Sequence, residues 1–365
     1  MLRGSKKLRY CRSSRSLVFR LYVNLSVHRT CRQGASDKYL EPSHESTHNN
    51  TSHPMHPYEE GDITPLEKDL KYDDCIFRTY TWPVPEGTVR KGTVLFVHGY
   101  RDYHGYYYQY AETLAKHGYE FFFFYQRGEG ESRLVSGAKG VSNDQHAYKA
   151  IDDMVQYNHD KLIAENRKPI LHLMGLSMGG GLTLNYACHG KLRSLITSFS
   201  AIAPLVTLHP DTYPGKHIEL VVRAICSFSF GQNMRVKSPL KLDYLTSDEH
   251  MQEYIGSKVN TAGLDGAFVE TRDFILRGRA LHSKRVYSQI DKKVPLLIFH
   301  GDDDHINDVE GSKKFIDLVN TVPGMENKRI VVYPGARHVV VIEKPELRER
   351  LMEDVLQFLD EHSPQ

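Results

Sequence analysis

Residues Met174–Leu182 read "MGLSMGGGL", a serine held between two glycines in the pattern Gly175-Leu176-Ser177-Met178-Gly179. With glycine near 7% of average sequence and serine similar, Gly-x-Ser-x-Gly arises by chance in roughly one chain in ten of this length. Its surroundings carry the weight. Before it stands "PILHLMG", a short apolar run of the kind that forms a buried strand; after it "GGLTLNYACHG" reads as a helix stopped by Gly190. A serine at a strand-to-helix turn is the setting of a nucleophile elbow. The turn strains the backbone at the serine, and neighbours two positions away crowd the adjacent chain unless they lack a Cβ. The helix that follows aims free N–H groups and its positive end at the surroundings of the serine oxygen. Close helix–sheet packing would explain the glycines but not the serine between them.

On either side of the elbow, strands alternate with helices. "CIFRTYTWPV" and "TVLFVHG" read as strands, followed by a helix around Tyr107–His117 and the buried strand "YEFFFFY". A long helix near Asp144–Glu165 carries Ile151, Met154, Val155 and Leu162 on one side. After the elbow the pattern resumes with "VPLLIFHG", a helix from about Val309, "RIVVYPG" and the closing helix "PELRERLMEDVLQFLDEH". Such alternation predicts an α/β fold with a mostly parallel sheet covered by helices on both faces. It stops between residues 204 and 283, which read as an insertion dividing the core into 56–203 and 284–365. Within it, Lys216, Glu219, Arg223 and Ser227 mark the polar side of a helix. Ile218, Val221, Val222, Ile225 and Phe228 fill the opposite side.

An uncharged serine needs a base, and the base an orienting acid. In this architecture they follow in the order serine, acid, histidine. Beyond "RIVVYPG" stand only His338, in "YPGARHVV", and His362, which falls in the closing helix; the expected base is His338. The acid belongs just past "VPLLIFHG", where Asp302, Asp303, Asp304 and Asp308 compete. Spacing does not choose among them.

Composition limits the alternatives. The formal charge of +2 hides an uneven distribution: residues 1–38 hold ten Lys/Arg and one acid, leaving 37 basic against 44 acidic residues elsewhere, a balance of −7. An acidic body offers no electrostatic footprint for nucleic acid. The five cysteines are far apart and form no C-x-x-C, which argues for a reducing compartment and against a disulfide framework or a zinc site built on them. No apolar run approaches the length of a membrane span. "LVFRLYVNLSV" is broken by Arg20 and Asn24, so secretion is not expected. The Arg- and Ser-rich first 55 residues, with a polar stretch over 39–58, read as a disordered tail, a mitochondrial transit sequence or an upstream extension of the reading frame. Met55 lies inside the polar stretch.

Together "GLSMGGGLTLNYACHGK", "PLVTLHPDT", "HGDDDHINDVEGSKKFI" and "YPGARHVV" resemble the monoacylglycerol lipases of the α/β-hydrolase superfamily in their fungal form, over nearly all of residues 56–362. The resemblance implies an acid three residues after the His-Gly pair, which is Asp304. His300 and His305 are then structural. It also implies an oxyanion hole made by the backbone N–H groups of Met178 and of Tyr100 in "VHGYRDY". By the same resemblance the insertion is a cap, whose apolar stripe would face an acyl tunnel and lipid. The chain departs from the family at Arg101 and Asp102, where glycine and glutamate are usual, and Asp102 would then meet the glycerol head. It departs also at Tyr125, where an aspartate is usual, at Leu176, where histidine is common, and in its first 55 residues. The implied reaction cleaves monoacylglycerol to glycerol and fatty acid and needs no metal or organic cofactor. The implied location is the cytoplasmic side, peripheral to lipid droplets or to membranes such as the endoplasmic reticulum or the mitochondrial outer membrane. Lysophospholipids or soluble acyl esters are the alternative substrates, and an inactive lipid-binding relative is the alternative of another class. A serine at position 177 excludes epoxide hydrolases and dehalogenases, which use aspartate there.

Overall fold

The computed structural model describes residues 61–238, 240–258 and 264–363; the tail expected over residues 1–55 lies outside them. The sheet at its centre contains β1 Leu66–Tyr72, β2 Cys75–Trp82, β3 Gly92–Val97, β4 Tyr119–Phe124, β5 Leu171–Leu176, β6 Ser198–Ile202, β7 Leu296–Gly301 and β8 Arg329–Tyr333. Their order is β1-β2-β4-β3-β5-β6-β7-β8, with Arg133–Leu134 adding a short pairing on β2. β1 and β2 are antiparallel to their neighbours; from β4 to β8 every pairing is parallel.

Every residue of β3, β4, β5, β6 and β7 is buried, and apart from β6 these strands are mostly apolar, interrupted only by Thr93, Glu120, His172 and His300. Along β4, Phe122 and Phe124 join the core on one side, with Leu95, Ile151, Met154 and Leu173. Phe121 and Phe123 join the core on the other, with Phe96, Tyr107 and Tyr110. Helices α1 Tyr108–Lys116, α2 Asp144–Ala164, α3 Met178–His189, α7 Val309–Asn320 and α8 Pro345–Glu361 flank the sheet. Asn143 caps α2 through the His146 N–H, and Pro345 stands at the start of α8. Two strands escape the hydrophobic pattern. β1 is exposed except at Leu70 and Tyr72, as an edge strand can be. β6 is "SFSAI", whose buried Ser198 hydroxyl meets His172 Nδ1 at 2.7 Å. Tertiary pairing, not local apolarity, makes it a strand.

The chain leaves the sheet after Ile202 and returns at Leu296. In between lie α4 Lys216–Ile225, α5 Glu249–Lys258 and α6 Phe268–Leu281. An antiparallel ribbon, Arg235–Ser238 with Leu264–Ala267, makes the insertion less purely helical than expected. The apolar stripe expected on α4 divides. Val222 is buried with Cys226 and Phe268, and Ile218 and Ile225 pack against them, while Val221 and Phe228 are exposed. Leu220 and Phe230, outside the stripe, are exposed as well. The helix therefore lies with its expected polar side partly inward: Glu219 is buried, paired with Arg279 and accepting from Tyr213 Oη at 2.8 Å. A distant arginine outweighs local periodicity here, because a buried carboxylate requires a partner. Among the described residues Cys75, Cys188 and Cys226 are free and buried, and no helix is long and apolar enough to cross a membrane.

Candidate active site

Ser177 occupies the turn between β5 and α3 with φ +55°, the left-handed region that a side chain rarely adopts. Its backbone is tied on both sides: its N–H donates to Ile202 O at 2.9 Å, and its carbonyl accepts from Gly181 and Leu205, each at 2.9 Å. The flanking glycines are a steric necessity. A Cβ on Gly175 would stand 2.3 Å from Gly179 O, and one on Gly179 would stand 1.9 Å from Val97 O. So the turn packs directly on β3 and tolerates no side chain at either place.

Three loops deliver the polar groups. His338, after β8, places Nε2 2.8 Å from Ser177 Oγ and Nδ1 2.7 Å from Asp304 Oδ2. The carboxylate can only accept, so Nδ1 carries the ring proton and Nε2 is left to receive the serine's. Asp304 lies after β7, and its Oδ1 accepts from Ile306 N at 2.8 Å and Asn307 N at 2.9 Å. Burial pushes its carboxyl upward, but the charge of His338 and hydrogen bonds from His300 and His338 overcome this and hold it well below the ordinary range. Asp302 instead accepts from Gly335 N at 2.7 Å, Asp303 faces His305, and Asp308 caps α7.

His300, expected to be structural, touches this network. Its Nε2 lies 3.1 Å from Asp304 Oδ2 and 3.2 Å from Asn307 O, both acceptors, so Nε2 carries a proton. Its Nδ1 meets the buried Ser312 hydroxyl at 2.9 Å. The signal for it was present in the His-Gly pair that ends β7, but nothing in the sequence tells which way a buried ring turns.

On the far side of Ser177, the loop after β3 brings Gly99 against the serine: a Cβ on Gly99 would lie 3.3 Å from Ser177 Cβ. Tyr100 follows it, and Met178 opens α3, where first-turn N–H groups have no partner within the helix. His98 braces this loop. Its Nδ1 donates to Gly99 O at 2.6 Å, its Nε2 accepts from Gln126 N at 3.0 Å, and burial pushes it down to about 4, so it stays neutral. The Asp102 carboxylate, expected at a glycerol head, is turned back into its own loop. Oδ2 accepts from Gly99 N at 2.7 Å and from Tyr107 Oη at 2.5 Å.

Residues 88–345 match the family model described as serine aminopeptidase, S33. The monoglyceride lipase of Saccharomyces cerevisiae is 32% identical over 313 residues, covering 84% of this chain and 97% of that protein. The chain belongs to the monoglyceride lipases of the α/β-hydrolase superfamily. The crystal structure of a soluble variant of the Saccharomyces enzyme, in complex with a substrate analogue, superposes with a TM-score of 0.77 at 32% identity, over 86% of this chain and 99% of that one. The monoacylglycerol lipase of Paleococcus ferrophilus shares the fold, with a TM-score of 0.64 at 21% identity over 79% of this chain and 99% of its own.

This monoglyceride lipase frame explains two of the departures. Arg101 has φ +60°, a conformation in which glycine is at ease and arginine is not. Its guanidinium compensates by donating to Gly128 O at 2.8 Å and pairing with Glu129 at 3.0 Å and with Glu270 of α6 at 3.2 Å. Tyr125, where aspartate is usual, reaches the same loop with its hydroxyl, which lies 2.8 Å from His104 Nδ1 and accepts from His104 N at 3.2 Å. The insertion also grips the His338 loop: His338 N donates to Tyr244 O at 3.3 Å and Val339 N to Leu245 O at 2.8 Å. Buried Glu343 ties both segments, accepting from Arg337 N at 2.8 Å and from Ser247 Oγ at 2.6 Å.

Proposed function

We propose that this chain hydrolyses monoacylglycerol to glycerol and fatty acid by a serine nucleophile. The relay from Ser177 Oγ through His338 to Asp304, at 2.8 and 2.7 Å, carries the reading. Ser177 attacks the ester carbonyl while His338 Nε2 takes its proton; Asp304 steadies the imidazolium; the N–H groups of Met178 and Tyr100 receive the oxyanion. His338 then returns the proton to the departing glycerol oxygen. Water, activated by the same ring, releases the fatty acid from the serine. Each oxyanion donor contributes roughly 3 kcal/mol to the transition state. The lipid ester as substrate class is supported by the relatives' names and by the family to which the chain belongs.

The enzyme works at a lipid surface without spanning it. Leu220, Val221, Phe228 and Phe230 are 57–72% exposed and lie close in sequence, in the middle of α4 and just after it, while Val222 anchors the helix from beneath. Each large side chain withdrawn from water contributes roughly 1.5–3 kcal/mol, enough for two or three to hold a folded domain at an interface. The same surface suits peripheral attachment to a droplet or membrane. Hydrolysis rates over a panel of monoacylglycerols, diacylglycerols and lysophospholipids test the substrate: monoacylglycerols should be cleaved fastest. A lysophospholipid preferred by tenfold would overturn that assignment.

A further inference from the structure

Beside the relay, a second group of polar side chains shares its acid-bearing turn. His209 and Asp211 lie after β6, and His305 directly follows Asp304; one ligand atom from each falls within 4.8 Å of the others. Asp211 Oδ2 is 2.8 Å from His305 Nδ1 and 3.6 Å from His209 Nδ1. Donors about 2.0–2.1 Å from a tetrahedral ion stand about 3.3–3.4 Å apart, so the two Asp211 separations fall on either side of that spacing, and the two imidazoles lie within 4.8 Å of each other. Two imidazoles and a carboxylate favour zinc and its transition-metal neighbours over magnesium or calcium.

The two loops are held together independently of those side chains. Leu208 pairs with Asn307 in an antiparallel bridge, His209 N donates to Ile306 O at 2.9 Å, and Asp308 N donates to Thr207 O at 2.8 Å. The His305 ring is stacked on Tyr244 with centroids 5.0 Å apart, and Asp303 Oδ1 lies 3.2 Å from its Nε2, the kind of outer carboxylate that orients a metal-bound histidine. His209 Nδ1 now accepts from Asp211 N at 3.2 Å; an ion either replaces that contact or takes Nε2.

We infer that His209, Asp211 and His305 bind Zn²⁺ or a similar divalent transition ion, with water completing the coordination. On the reading of Ser177–His338–Asp304 as the catalytic relay, the ion inhibits. Its charge sits on the turn whose N–H groups hold Asp304, and it opposes the imidazolium that His338 must become.

Zinc titration of the full-length protein tests the site, with the isosteric variants His209→Gln and His305→Gln beside it. Residues 1–56 carry His28, His44, His48, His53 and His56, so the difference between proteins is the readout. The wild type should take up one more equivalent in the micromolar range than either variant. With Co²⁺ it should show a tetrahedral visible band that both variants lack, while unliganded melting temperatures agree within a degree or two. Micromolar Zn²⁺ should slow ester hydrolysis at least tenfold less in His209→Gln than in the wild type. Superimposable isotherms and spectra for all three proteins would overturn the site. A site present in titration but without any effect on hydrolysis would overturn the inhibition and leave the catalytic reading untouched.

Discussion

At Asp304 two histidines share one carboxylate oxygen, His338 at 2.7 Å and His300 at 3.1 Å, while two backbone N–H groups occupy the other. A carboxylate so completely filled remains anionic and aligned, which an orienting acid requires. Ser177→Ala, Asp304→Asn and His338→Ala should each nearly abolish hydrolysis in a folded protein, the serine change by about 10⁶ in turnover. Asp303→Asn should cost far less, since its carboxylate faces His305 and Arg337; equal damage in matched assays would show that the acid is misassigned. His300 is a positioning residue. Losing its hydrogen bond leaves more negative charge facing His338, which then holds its proton more tightly. His300→Phe should therefore lower kcat by about 10–100-fold, by analogy with outer-shell partners of other sites, and move the acid limb of the kcat/KM profile to higher pH. A fall in kcat with an unmoved limb would make His300 a packing residue only.

Among the elements, the β3–α1 loop and α6 are joined through one guanidinium. Arg101→Gly would relieve left-handed strain of about 1–2 kcal/mol, but would take the cation from buried Glu270, and breaking a buried pair costs about 3–5 kcal/mol. The second effect wins. The variant should melt lower and turn over more slowly although glycine suits that backbone. A higher melting temperature would contradict the clamp. Burial, opposed by Arg101 and helped by Glu270, pushes Glu129 up to about 8. A carboxyl raised on folding stabilises fully below its ordinary range, and that stability is lost as pH rises through the folded value. Between about pH 5 and pH 9 the wild type should therefore lose melting temperature relative to Glu129→Gln; parallel curves would remove the basis for a raised Glu129. On α4 the two sides respond differently. Val222→Ser should lower the melting point, whereas Leu220→Ser with Phe230→Ser should weaken liposome binding and long-chain hydrolysis yet spare a short soluble ester. Loss of stability in the second protein would show these side chains to be packed.

At the scale of the molecule, the described residues draw their stability chiefly from two large apolar cores on the sheet whose central strands are buried throughout, with the smaller Val222–Cys226–Phe268 cluster in the insertion. Fully buried Phe123, stacked on Phe96, edge-on to Tyr80 and Tyr125 and tilted against Tyr107, supports the loop that presents Tyr100. The family match spans residues 88–345 and both cores lie within residues 70–359. A protein beginning at Met55 should accordingly keep full-length turnover and melting temperature. A large drop in either would show that the preceding residues contribute to the fold.

Local chemistry in the sequence was enough for the elbow. Only glycine fits at 175 and 179, only a serine hydroxyl stands between them, and strands buried on both faces announce themselves as apolar runs. The order of strand ends then pointed to His338 as the base, and folding brings its ring to Ser177 Oγ. Choosing Asp304 among four aspartates took resemblance, because neighbouring carboxylates look alike until a ring is aimed at one of them. Other features were decided by contacts between residues far apart in the chain. β6 became a strand through its neighbours rather than its own serines, Glu219 was drawn inward by Arg279, and Tyr125 took hold of the loop through His104. His300 turned toward the acid, and Arg101 accepted a strained backbone in exchange for two carboxylates. Periodicity describes which side of an element prefers water, whereas a buried charge is governed by the partner it meets, and that partner is supplied only when the chain has folded.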